Sequence, residues 1–197
     1  MRRVSIPGIL LFTLAAMAYG QATIVEIPRA ISSAEQFTAF RDQTATNPEG
    51  AVAVFVLAMI LRTQDPDLGH DALVIALDAG ELRSDATGYR GFTLGNRASE
   101  FVRRYLDPAP YLARSYVLET VPAEAYELPD IWQIGITRNR VSVISDDRVR
   151  VFVASSGADS PRPVTLQRNN RGIWKAYEYS SLFVGVRPPE QESDDPL

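Results

Sequence analysis

Eleven consecutive apolar residues, Ala51 to Leu61, restrict this chain more than any other feature. Most helices of globular proteins carry an apolar stripe. A helix that is apolar all round must instead be buried on every side. Asn47-Pro48-Glu49 just precedes the run and supplies a start signal: a capping side chain, a proline at the first helical position and an acid at the positive end of the helix dipole. The run is too short to cross a bilayer, which takes about 20 residues. It therefore reads as the central helix of a domain, and the rest of the chain must surround it.

The neighbouring segments carry further helix signals. Ser32-Ser33-Ala34-Glu35-Gln36 holds two overlapping capping boxes, Ser32 with Glu35 and Ser33 with Gln36. They predict a short helix to about Thr44, with Phe37 and Phe40 on its apolar side. Asp65-Pro66 repeats the cap-and-proline device and predicts a helix to about Asp78, stopped near Gly80. Thr87 to Gly91 reads as a break. Ala98, Phe101, Val102 and Tyr105 then recur at helical spacing, with Glu100 and Arg104 paired on the other side.

Beyond Asp107-Pro108-Ala109-Pro110 the period changes from helical to two. Trp132, Ile134 and Ile136 alternate with less apolar neighbours, as do Val149, Val151 and Val153. Val164–Arg168 and Ile173–Tyr179 read as two more strands around the turn Asn169-Asn170-Arg171-Gly172. Short connections make the pairing antiparallel. The expected fold class is α+β: N-terminal helices, one fully apolar and central, on a C-terminal antiparallel sheet of about four strands. The expected division is an export signal over 1–22, one domain over 23–187 and a disordered acidic tail over 188–197.

The export signal rests on Arg2-Arg3 followed by the apolar stretch Ile6 to Ala18 and then small residues. Cleavage after Gly20 or Ala22 would start the mature chain at Gln21 or Thr23. An uncleaved N-terminal anchor is the alternative. No cysteine follows, so no lipid can be attached through a thiol. The expected location is periplasmic or extracellular.

The full chain has a formal charge of −4, and losing Arg2 and Arg3 takes it to −6. That acidity argues against a nucleic-acid binder. The absence of cysteine excludes disulfides, zinc–thiolate sites and cysteine nucleophiles. Lys175 is the only lysine and therefore the only candidate for amine chemistry; His70 is the only histidine. A lone histidine on a helix is expected at the surface. Asp65 to Asp71 superficially resembles a calcium loop, but the acid spacing is wrong and Asp65 has a better role as a cap. Asp146-Asp147 reads as a hairpin turn rather than a catalytic carboxylate pair. No serine elbow or phosphate-cradling glycine loop is present. No catalytic residue, metal ligand or cofactor site is assigned.

Two features remain as candidate ligand-binding elements. Arg138, Arg140, Arg148 and Arg150 are expected on neighbouring strands, where alternating ones share a face. Arg148 and Arg150 would form a local cationic patch on an acidic protein. Ser155 to Val164 is dense in turn residues, and Pro161 and Pro163 stiffen the backbone around Arg162. Arg162 could bind a ligand or pair with Asp159 at a structural corner.

Ser156-Gly157-Ala158-Asp159-Ser160-Pro161-Arg162-Pro163-Val164-Thr165-Leu166, then Gly172-Ile173-Trp174 and Val186-Arg187-Pro188, resembles an uncharacterised bacterial domain family of unknown function. The resemblance runs from about Asn47 to Pro188 and includes Arg114-Ser115-Tyr116. It implies an α+β domain and carries no activity or ligand. The expected function is a non-catalytic binding or interaction domain of the cell envelope, with an envelope protein or an anionic glycan as partner. An envelope hydrolase with a carboxylate- or serine-based site assembled only in the fold is the alternative.

Overall fold

A computed structural model describes residues 22–190. All but the last residue of the expected export signal lies outside the described residues, as do the last seven of the chain.

The helix starts follow the sequence signals closely. α1 spans Ala34–Thr44, capped by the Ser33 side chain, which accepts from the Gln36 amide. Gln36 Oε1 in turn accepts from the Ser32 amide at 3.0 Å and the Ser32 hydroxyl at 3.1 Å, so one glutamine serves both serines. α2 spans Pro48–Gln64, and Asn47 Oδ1 accepts from the Gly50 amide at 2.8 Å. Every residue from Pro48 to Leu61 is buried. α3 spans Pro66–Ala76, and the Asp65 carboxylate accepts from the amides of Asp67 and Leu68. That duty as a cap occupies the acid that would have opened a calcium loop.

α3 ends earlier than expected, and Gly80 does not stop it. Leu77 turns extended and bridges Ala176 in parallel, and the Asp78 amide donates to the Ala176 carbonyl at 2.9 Å. The segment read as a break is a hairpin, β2 (Leu82–Tyr89) with β3 (Phe92–Leu94). β2 is half-exposed, and a bulge between Ser84 and Tyr89 interrupts the register, so no apolar alternation announces it. Gly91, at φ +84°, makes the reversal.

α4 (Asn96–Phe101) runs directly into a π-helical turn, Val102–Leu106, closed by the Asp107 amide on the Val102 carbonyl at 2.9 Å. Glu100 and Arg104 form the expected pair at 3.6 Å. α5 is the short helix Tyr111–Arg114.

The main sheet is antiparallel and has six strands among the described residues, against the expected four or so. Its members are β1 (Thr23–Ile27), β4 (Trp132–Thr137), β5 (Val143–Ser145), β6 (Arg148–Val153), β7 (Arg162–Arg168) and β8 (Trp174–Glu178). The order is β1-β4-β6-β7-β8, with β5 pairing the free end of β6. Helices and sheet form two layers, an α+β arrangement. Ile27, Ile134, Ile136, Val149, Val151, Val153, Val164 and Leu166 face the helices and join α2 in one core. Period two then places Arg148, Arg150, Thr165, Gln167 and Tyr177 on the opposite side, where Arg150 is exposed, Arg148, Gln167 and Tyr177 are half-buried and Thr165 is buried. Pro188–Glu190, at the start of the expected tail, run beside Pro122, whose carbonyl accepts from the Glu190 amide at 3.1 Å.

Candidate functional site: an arginine-bearing sheet face

Alternating valines pull β6 onto the core and thereby turn Arg148 and Arg150 outward together. Register sets Arg148 opposite Gln167 and Arg150 opposite Thr165. Arg148 Nε donates to Gln167 Oε1 at 2.8 Å, and its guanidinium lies 4.4 Å from the centre of the Tyr177 ring. Arg150 is exposed and donates weakly to Thr165 Oγ1 at 3.4 Å. Gln167 Nε2 donates to Asp147, which also accepts from the Ser145 hydroxyl; those bonds, Ser145 first, hold the Asp147 carboxyl below its ordinary range. Asp146 and Asp147 sit at the expected turn between β5 and β6. Among the described residues neither Arg148 nor Arg150 forms an ion pair.

The other arginines of the expected patch behave differently. β4 ends at Thr137, so Arg138 and Arg140 lie in the following loop rather than on a strand. Arg138 turns to Glu49 at the start of α2 and grips its carboxylate with Nε and, at 2.6 Å, with a terminal nitrogen. Its hydrogen bond to Glu49 raises the Arg138 pKa further. Glu49 is buried, so this pair ties the loop to the helix layer and removes Arg138 from the patch. Arg140 remains exposed.

The stiff loop has a structural role, but with a partner other than the expected one. Asp159 is exposed and forms no ion pair with Arg162 among the described residues. Arg162 pairs in register with the core-facing Val153, away from the Arg148 side. One of its terminal nitrogens donates to the carbonyls of Val184 at 3.0 Å and Gly185 at 2.5 Å. Arg162 is thus a strut that fastens the C-terminal segment to β7. Tyr126 and Gly157 fasten the same segment further along, through the Arg187 carbonyl and amide. The four candidate residues therefore do not converge: Arg148 and Arg150 share the open face, Arg162 is committed elsewhere and Asp159 stands apart.

Two concavities flank the π-helical turn. One, of about 290 Å³, is lined by Arg62, His70, Ser99, Val102, Arg103 and Asp107. His70 is half-buried there, with Nε2 2.8 Å from Thr93 Oγ1. Burial first, and then the nearby Arg62, lower its pKa and favour the neutral ring. Arg62 is itself held by both carboxylate oxygens of Asp107, at 2.9 and 3.0 Å. The other concavity, of about 320 Å³, is lined largely by Tyr105, Pro108, Tyr111, Phe183 and Val186. Lys175 lines neither. It is the most perturbed cation: burial pulls its pKa down to about 7, and its ammonium donates to the Ile75 carbonyl at the end of α3. Among the described residues no three His, Cys, Asp or Glu side chains cluster as a metal site would need.

A family model described as Domain of unknown function (DUF6935) matches residues 29–190. The chain belongs to that family. The match extends the family region upstream of Asn47 and takes in all of α1. It carries no activity, and it does not bear on the individual loop motifs. No curated protein and no solved structure matches the chain.

Proposed function

We propose that this DUF6935 protein is an exported, non-catalytic binding domain of the cell envelope that takes an anionic group on its open sheet face. Arg148 and Arg150 carry this reading: two strand-mounted guanidinium groups without a carboxylate partner among the described residues, one of them stacked on Tyr177. A guanidinium presents a planar fork of donors suited to carboxylate, sulfate or phosphate oxygens. The strand holds the two forks on one side, so an anion can meet both without reorganising the backbone. Export is supported by the Arg2-Arg3 n-region and the apolar stretch behind it.

Dextran sulfate is the probe for the anion site. The Arg148→Ala/Arg150→Ala double variant is expected to bind it at least tenfold more weakly in low salt, with its unfolding midpoint close to that of the wild type. Equal binding by the two proteins overturns the reading. Export is checked separately. Expressed in a Gram-negative host, the full chain should be recovered from the periplasm or medium with its N-terminus at Gln21 or Thr23; an intact Met1 terminus in the cytoplasm argues against it.

A further inference from the structure

We propose that the hairpin tip formed by the loop after β4 and by β5 docks onto an anionic lipid surface, with its aliphatic side chains in the interface and the neighbouring arginines at the headgroups. This rests on the reading of Arg148 and Arg150 as an anion site and names where the anions are.

The tip is an unusual place for aliphatic residues. Val141 is 67% exposed, Val143 70% and Ile144 47%. Val143 and Ile144 are consecutive on a strand, so they point to opposite sides of the ribbon, and both meet solvent. The loop beneath them is held in shape. Asn139 Oδ1 accepts from the Val141 amide at 3.0 Å, Ser142 Oγ accepts from the Asn139 amide at 2.9 Å, and the Ser142 carbonyl accepts from the Arg150 amide at 2.7 Å. Ser142 itself is 1% exposed. These bonds hold the loop in one shape, with its valines and isoleucine presented outward. That lowers one cost of interfacial insertion, the ordering of a loose loop.

Charge selects the lipid. Arg140 is exposed at the tip, and Arg148 and Arg150 follow on β6. Arg138 is paired with Glu49 and does not count toward the tip. Asp146 and Asp147 are the acids of the turn, against the three arginines, so the local balance is positive by one charge. Cations beside an apolar wedge favour surfaces rich in anionic headgroups. A partner strand fits less well. β5 offers only three residues of edge, and edge pairing would leave aliphatic groups on both sides of the ribbon in water. A bilayer interface surrounds the tip and covers both.

The test uses the mature chain and two kinds of vesicle, an equal mixture of phosphatidylglycerol and phosphatidylcholine, and phosphatidylcholine alone. Dextran sulfate binding is measured beside them. The wild type should sediment with the mixed vesicles and much less with the neutral ones. The Val141→Ser/Val143→Ser/Ile144→Ser variant should bind the mixed vesicles at least tenfold more weakly and dextran sulfate as before. The preserved dextran sulfate binding also shows that the variant is folded. Wild-type affinity of the serine variant for mixed vesicles overturns the proposal. So does a wild type that binds dextran sulfate but no vesicle, and that result leaves the arginine face standing. A wild type that fails to bind dextran sulfate removes the arginine-face reading itself.

Discussion

Alanine at Gly69 is expected to lower the unfolding free energy by about 3 kcal/mol, at the upper end of the cost of overpacking a tight contact. A Cβ at this position would lie 2.1 Å from Arg62 Cα and 2.2 Å from the Arg62 amide nitrogen. Those are backbone atoms of α2, so no side-chain rotation relieves the clash. The two helices would have to move apart where Gly69 meets the Arg62 backbone, which loosens the packing around α2. Gly80→Ala is the control. Its nearest contact would be Asp78 Oδ1 at 3.3 Å, the end of a movable side chain, and its stability should stay within about 0.5 kcal/mol of the wild type. Urea unfolding of both variants decides the matter; a Gly69→Ala protein as stable as the control would show that α2 and α3 do not meet this closely.

Lys175→Met should stabilise the protein at neutral and acid pH and lose that advantage in alkali. Burial holds the Lys175 pKa at about 7, against an ordinary 10.5 in the unfolded chain. Between those two values the unfolded state binds the extra proton, so wild-type stability rises with pH across that window. Below about pH 7 the ammonium is charged in both states, and the folded protein bears the full cost of burying it. A gap of this width corresponds to as much as about 5 kcal/mol. Nearby Arg41 adds repulsion, while Asp78 and Asp42 offset part of the burial. Methionine retains the length of the side chain without the charge. The difference between variant and wild type, measured by urea unfolding at pH 6 and again at pH 10, should shrink by about 3 kcal/mol or more. An unchanged difference would mean that Lys175 is charged and solvated throughout.

These two residues also show what sequence reading could reach. Gly69 stood inside Asp65 to Asp71, a stretch similar to a calcium loop, and nothing in that string reveals a helix passing 2.1 Å from a future Cβ. Lys175 was noticeable only for being unique. Its burial against the end of α3 brings together residues 100 positions apart. Arg138 reads with its neighbours as a patch, but its partner Glu49 lies 89 positions away at the start of α2. Arg162 reads from the sequence as a ligand-binding residue or the partner of nearby Asp159, and it fastens Val184 and Gly185. The π-helical turn left no trace because Ala98, Phe101, Val102 and Tyr105 satisfy ordinary helical spacing.

Adjacent residues encode the caps at Ser33, Asn47 and Asp65, the buried run of α2, the alternation of β4 and β6, and the turn before β8. Capping bonds and strand periodicity act over a few residues, so the string records them directly. No local pattern encodes that Thr23–Ile27 joins the sheet beside β4, that Leu77 bridges Ala176 on β8, or which arginines lack an ion pair among the described residues. Those outcomes depend on which distant groups share a desolvated contact, and that is set by how the layers close around α2 rather than by any local pattern.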